Sequence, residues 1–320
     1  MNNMLQLPIV RNMNHIRIHK NTDKCPNIYE ITPAHGCEFG CLYCNALGQE
    51  DLTYFKPVQL CDNSYYEHLA DFIKTHKTDL QTPLYYFSPK TDCFQSALLE
   101  TGITYQILGL LCKLEAYYVI VTKGVCSDAV FVKLLESKDR CQIIISYGMP
   151  NEEMRQVIEP SAATLQNRIL FAQKCVQNGI QTSVILEPIF PLKNLQYVYK
   201  IMDTFKAVGI NHFAIDFARI TMESLQRIVH VIPQYEQELM DIYTASERKI
   251  ERFTTQTGIA VERYSPSDSY IDENFMLMKQ YAERIGATVS VCNTFNKNGF
   301  NKEANDRGYI CMGIQYNMIV

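Results

Sequence analysis

From residue 28 to about 216, short apolar runs rich in Val, Ile, Tyr and Phe alternate with longer amphipathic stretches. The runs at 28–32, 83–87, 117–122, 142–147, 182–187 and 212–217 have the length and side-chain type of strands. Between them, 65–77, 103–114, 127–136, 162–178 and 195–208 carry helical spacing. Gly179 and Gly209 follow the last two of these where a helix stops, and Ser161 stands at an N-cap position. Strands alternating with helices predict an α/β chain with a parallel sheet and right-handed crossovers. Six such units fit either a partial barrel or an open doubly wound sheet, and the pattern does not separate them. Both place ligands at the C-terminal ends of the strands.

Past about residue 220 the texture changes. Residues 225–250 and 271–285 read as helical, 288–292 as a strand and 293–308 as a polar loop. The first 27 residues read as a lead-in arm. The organisation expected is an arm at 1–27, the βα region at 28–220, and an α+β extension at 221–320 that closes the barrel and contributes to the substrate site.

Composition narrows the function classes. With 320 residues and 47% hydrophobic content, the chain buries a sizeable core. Thirty basic residues against 34 acidic ones leave a net charge of −4, with no dense basic run, so DNA is not expected as a partner. No stretch has the roughly 18 to 20 uninterrupted apolar residues of a membrane span. The first twenty residues lack the apolar core of a signal peptide, and a cytoplasmic protein is expected.

Twelve cysteines in a chain without a secretion signal do not read as a disulfide framework. Cys61, Cys112, Cys126, Cys141 and Cys175 stand singly and read as small hydrophobes. Cys37, Cys41 and Cys44 are different. They lie in ITPAHGCEFGCLYCNALG, directly after the first strand, with CxxxCxxC spacing. Three thiolates on one loop bind three irons of a [4Fe–4S] cubane and leave the fourth open to a small molecule. Gly36 and Gly40 let the backbone fold closely around such a group. A structural zinc site needs a fourth ligand, for which His35 or Cys25 are the candidates, and no second CxxC pair lies nearby. In the tail, Cys292 and Cys311 do not by themselves complete a second cluster.

CxxxCxxC after a first strand resembles the radical SAM superfamily, and the surrounding residues are similar to its spore photoproduct lyase-like branch. TPAHGCEFGCLYCNAL resembles the branch's opening, and YFSPKTDCFQ its segment after the second strand. VTKG is similar to its Thr-Lys after the third, and ISYGMPNEEMRQVIEPSAATLQNRI to its Ser-containing fourth strand followed by EP and an Arg. The likeness spans residues 28–216. It implies a partial (βα)6 barrel in which an electron delivered to the cluster cleaves S-adenosylmethionine to a 5′-deoxyadenosyl radical. That radical abstracts hydrogen from a substrate, here expected to be a small molecule or peptide. An electron donor such as flavodoxin or ferredoxin is implied as a partner.

The resemblance also assigns roles. Lys123 and Ser146 match the pair that contacts the SAM carboxylate, with Arg168 in reach of the same group. Tyr43 is placed near the adenine and Asp92 near the SAM amino group. Glu159 is placed on the ribose or as a cap for the next helix. The branch's hydrogen-donor cysteine position, upstream of Asp92, holds Ser88, Pro89, Lys90 and Thr91 instead, which leaves Cys93 as the substitute catalytic thiol. The alternatives are a DNA photoproduct lyase-type repair enzyme and a non-enzymatic zinc or iron–sulfur protein.

Overall fold

The computed structural model describes residues 9–10, 16–19, 28–44, 58–77, 83–254, 260–292, 300–310 and 313–315. Cys25 and Cys311 lie outside the described residues. A small sheet of β1 (Ile9–Val10), β4 (Ala34–His35) and β5 (Gln59–Cys61) anchors the start of the cysteine loop. The main sheet has eight strands. Antiparallel β2 (Ile16–His19) forms one edge against β3 (Ile28–Ile31). Beyond it run β6 (Leu84–Phe87), β7 (Tyr117–Thr122), β8 (Cys141–Ser146), β9 (Gln181–Ile189), β10 (His212–Phe217) and β13 (Thr288–Ser290), all parallel to β3.

Each parallel strand sits beside its predecessor, with no reversal of order. A doubly wound sheet needs a reversal to place helices on both faces. Right-handed crossovers that always step the same way put the helices on one face and curl the other inward. Ile28, Leu84, Val119, Ile144, Ile185 and Ala214, one from each of six strands, form an interior cluster with Ile314. The sheet is therefore a partial barrel. It carries a seventh parallel strand, β13, contributed by the region beyond residue 220. The central strand β8 is buried at every residue, as a strand packed on both faces must be.

Five of the first seven helices fall on the expected stretches, and the short second and fifth fall outside them. The seven are α1 (Ser64–His76), α2 (Ser96–Glu100), α3 (Ile103–Lys113), α4 (Asp128–Glu136), α5 (Glu152–Ile158), α6 (Leu165–Gln177) and α7 (Gln196–Ala207). Three local expectations are corrected. Thr164, not Ser161, caps α6, its hydroxyl accepting from Asn167 N at 3.2 Å. The preceding residues are held elsewhere: Ala163 N–H donates to Lys123 O, and Ala162 O accepts from Arg155 Nη1. The pattern at 225–250 is not one helix. It breaks at Pro233 into α8 (Met222–Val231) and α9 (Glu236–Thr244). Its end is a strand, β11 (Lys249–Thr254), paired in an antiparallel hairpin with β12 (Ala260–Ser265). Within 293–308, residues 293–299 lie outside the described residues, and Lys302–Asp306 forms α11.

The tail hairpin β14 (Tyr309–Ile310) and β15 (Ile314–Gln315) plugs the N-terminal end of the barrel, after α10 (Asp268–Arg284), β13 and α11. Gln142 inside the barrel donates to Gly313 O at 2.7 Å and accepts from Gln315 N at 2.9 Å. Gly313 is required there: its φ is +81°, and an added Cβ would stand 2.9 Å from His212 Cδ2. His212 is fully buried, bonds Thr288 and Ser290, and stacks on Tyr309 at 4.0 Å.

Candidate active site

The cysteine loop leaves the C-terminal end of β3 and is held from three sides. Leu42 N–H donates to Ile158 O at 2.9 Å, and Ser161 N–H to Phe39 O at 3.3 Å, which fixes the loop to the end of α5. Gly40, with φ +61°, lies against Pro160. Gln95 accepts from Glu38 N at 3.0 Å and donates to Gly36 O at 3.4 Å. Glu38 in turn accepts from Ala97 N at 2.7 Å, in the first turn of α2. Neither Gln95 nor Glu38 carries a signal that sequence reasoning used. Their pairing is nonlocal, 57 residues apart.

Cys37, Cys41 and Cys44 line one cavity of about 670 Å³ at the C-terminal end of the barrel. Burial pushes the Cys41 thiol up to about 12, with Glu159 and Cys44 adding to the rise against Lys123. Cys37 is raised by burial and then by Asp92 and Cys41. Thiols crowded in this way stay protonated until a cationic group neutralises them. Among the described residues no three His, Cys, Asp or Glu side chains converge on one point as a single-ion site requires. A cubane instead takes each thiolate to a different iron.

The strand ends supply the rest of the wall. Lys123, after β7, points its ammonium into the cavity, 5.6 Å from the Tyr43 ring centroid. Its Nζ donates no hydrogen bond to any described residue. Burial would lower its pKa, but Glu159, Cys41 and Glu187 outweigh that and hold it above the usual lysine value. Ser146, at the end of β8, also lines the cavity and donates to Glu187 O at 2.9 Å. Thr91 lines it too, with a buried hydroxyl that has no partner among the described residues. Three thiols, a cation and an orphaned hydroxyl around one space match the donor set that a cluster and a bound amino acid need.

Other expected residues are placed differently. Asp92 reaches the cavity wall, but both oxygens are engaged, accepting from Phe94 N (2.9 Å), Thr122 Oγ1 (2.8 Å) and Lys123 N (2.8 Å). It ties the loop after β6 to the end of β7. Arg168 and Glu159 are fully buried behind the wall. Arg168 donates to Ala163 O (2.9 Å), Ser146 O (2.5 Å) and Glu159 Oε2 (2.6 Å), so its donors point into the protein. Glu159 follows the last residue of α5 and accepts from Tyr43 OH, which positions that ring. Cys93 is fully buried on the helix side of the sheet, packed in the main core and away from the cavity. Burial raises its thiol well above the ordinary range.

Cys292, after β13, lines the cavity opposite the cysteine loop. Beside it stands a charged wall of Glu187, Arg219, Glu251 and Arg263, the last two from the inner face of the β11–β12 hairpin. Asp216 bonds Arg219 at 2.5 Å and is pushed up to about 7, by burial first and then by Glu187 and Cys292, against the pull of Arg219. Sequence reading missed this wall because mixed charge at 249–263 looks like a solvated surface.

The fold is a singly wound partial barrel with a three-cysteine loop above its first parallel strand. No family model matches the sequence, and no curated protein matches it. Among solved structures, the chain is similar to a spore photoproduct lyase variant with bound AdoMet and dinucleoside spore photoproduct, with a TM-score of 0.66 at 16% identity over 88% of this chain and 81% of that one. A second spore photoproduct lyase variant superposes with a TM-score of 0.67 at 15% identity, over 88% and 82%. SuiB of Streptococcus suis bound to S-adenosylmethionine gives 0.52 at 12% identity, over 87% of this chain and 55% of that one. Among the described residues no helix is long and apolar enough to cross a membrane.

Proposed function

We propose that the chain is a radical SAM enzyme acting on a small molecule or peptide. The observation that carries this reading is the shared cavity: three CxxxCxxC thiols and the Lys123 ammonium face one space at the strand ends. In this reading Cys37, Cys41 and Cys44 hold a [4Fe–4S] cluster, and Lys123 with Ser146 holds the carboxylate of S-adenosylmethionine. Bound there, the pair supplies one-electron reduction of the sulfonium and hydrogen-atom abstraction from the substrate. The chain's own residues orient and shield. Tyr43 packs beside Lys123 and is fixed by Glu159, Arg168 braces the end of β8, and the β11–β12 hairpin covers the mouth of the barrel. A flavodoxin- or ferredoxin-type donor would deliver the electron.

Repair of damaged DNA is disfavoured by the net charge of −4 and the lack of a dense basic run to meet a phosphate backbone. The buried position of Cys93 disfavours it too. The test is iron and sulfide analysis of anaerobically purified protein, followed by product analysis with dithionite and SAM. Four irons with formation of 5′-deoxyadenosine are expected, and the Cys37, Cys41, Cys44 triple alanine variant should lose both. Zinc without sulfide would instead identify a metal-binding protein. SAM-dependent repair of ultraviolet-damaged duplex oligonucleotide would restore the lyase alternative.

A further inference from the structure

Arg263 sits on the inner face of the hairpin, directly across from Glu251 in the antiparallel register. Its side chain is largely buried, 19% exposed, and lines the cavity. Its guanidinium makes no hydrogen bond to any described residue, and its Nε is buried without a partner. Its contact with Glu251 is long, Nη2 to Oε2 at 3.4 Å. The plane lies over the Phe253 ring at 4.4 Å, which fixes its orientation. Arg219 stands behind it, held by Asp216 at 2.5 Å and reaching toward the same Glu251 at 3.8 Å. Burial and the nearby Arg219 hold the Arg263 pKa below its usual value, although Glu251 and Asp216 act the other way.

A largely buried guanidinium whose Nε has no partner among the described residues, and whose one ion-pair contact is long, is costly unless something completes it. A planar oxyanion does so, by bidentate hydrogen bonds to the fork of donors. The surroundings limit its charge. Arg219 is already paired with Asp216, and Glu187 and Glu251 line the wall beside Arg263, so a dianion or a chain of phosphates would meet two unneutralised carboxylates there. We infer that Arg263, oriented by Phe253 and backed by Arg219, is the receptor for a single carboxylate carried by the substrate. This assigns the substrate class, a carboxylate-bearing small molecule or peptide, and rests on the reading of the cavity as the reaction chamber.

The test uses the cluster-loaded full-length chain, with sodium acetate as the carboxylate probe and sodium phosphate and sodium chloride compared at equal ionic strength. Phenylglyoxal modification of Arg263 is followed by peptide mass spectrometry. Acetate should slow modification of Arg263 relative to chloride, and phosphate should not. Line broadening of ¹³C-acetate should show binding weakened about tenfold or more in Arg263→Gln, the loss of a charge-assisted pair, and partly kept in Arg263→Lys. Equal modification in acetate and chloride overturns the assignment, and so does protection by phosphate as strong as by acetate. The protection arm needs no variant, so a folding failure in Arg263→Gln leaves it intact. SAM cleavage by the same preparation judges the radical reading separately. Protection without cleavage keeps the receptor and sinks the enzyme class, and cleavage without protection does the reverse.

Discussion

Arg168 and Glu159 form an ion pair at 2.6 Å in which neither side chain reaches solvent. The pair joins the end of β8 to the cysteine loop, since Arg168 also grips Ser146 O and Glu159 holds Tyr43 OH. Removing one partner strands a buried charge. Glu159→Ala or Arg168→Met should each lower stability by about 3–5 kcal/mol, and the double apolar variant should recover part of that loss. Urea unfolding of the four proteins checks it, and additive single-variant costs would mean that the residues act independently.

Lys123 keeps its charge across neutral pH because its folded pKa is raised. Lys123→Ala should weaken SAM binding by roughly 1.5–3 kcal/mol. Ser146→Ala should cost less, because that hydroxyl already bonds Glu187 O. Equilibrium dialysis of SAM against cluster-loaded protein reads both. Wild-type affinity should be flat from neutral to mildly alkaline pH, and a fall there would mean that Lys123 is not the contact.

Cys93, the expected catalytic thiol, and Cys292 differ in their access to the cavity. Cys93 is fully buried in the main core, whereas Cys292 is half-buried and lines the cavity. In the triple alanine variant of the cysteine loop, a small maleimide under native conditions should label Cys292 well before Cys93, Cys141 or Cys175. Peptide mass spectrometry at increasing times gives the order. Early labelling of Cys93 would contradict its burial.

A buried histidine and a part-buried aspartate oppose each other in acid. His212 is pulled down to about 3 by burial, so below its ordinary value near 6.5 the unfolded chain takes a proton that the folded chain refuses. Stability from this group is present above about 6.5 and lost as pH falls toward 3. Asp216 is raised to about 7, so between roughly 3.9 and 7 the folded chain holds the extra proton and stability falls as pH rises. Asp216→Asn should therefore make stability climb more steeply between pH 5 and pH 7, and His212→Gln should make it flatter or reversed. Urea midpoints at the two pH values decide, and identical slopes in all three proteins would refute both assignments.

Periodicity alone located all six expected strands of the barrel, because a buried parallel strand must be a short run of branched and aromatic residues. CxxxCxxC marked the cysteine loop because its pattern is local, three cysteines within eight residues. Local pattern did not fix the winding of the sheet, which became a barrel only through unreversed strand order. Nor did it show the β11–β12 hairpin, whose charged inner face reads as surface until the cavity behind it is seen. The roles of Arg168, Glu159, Asp92 and Cys93 depended on which way each side chain faces. A strand end or a helix start leaves both directions open, and only packing against residues tens of positions away decided between cavity and core.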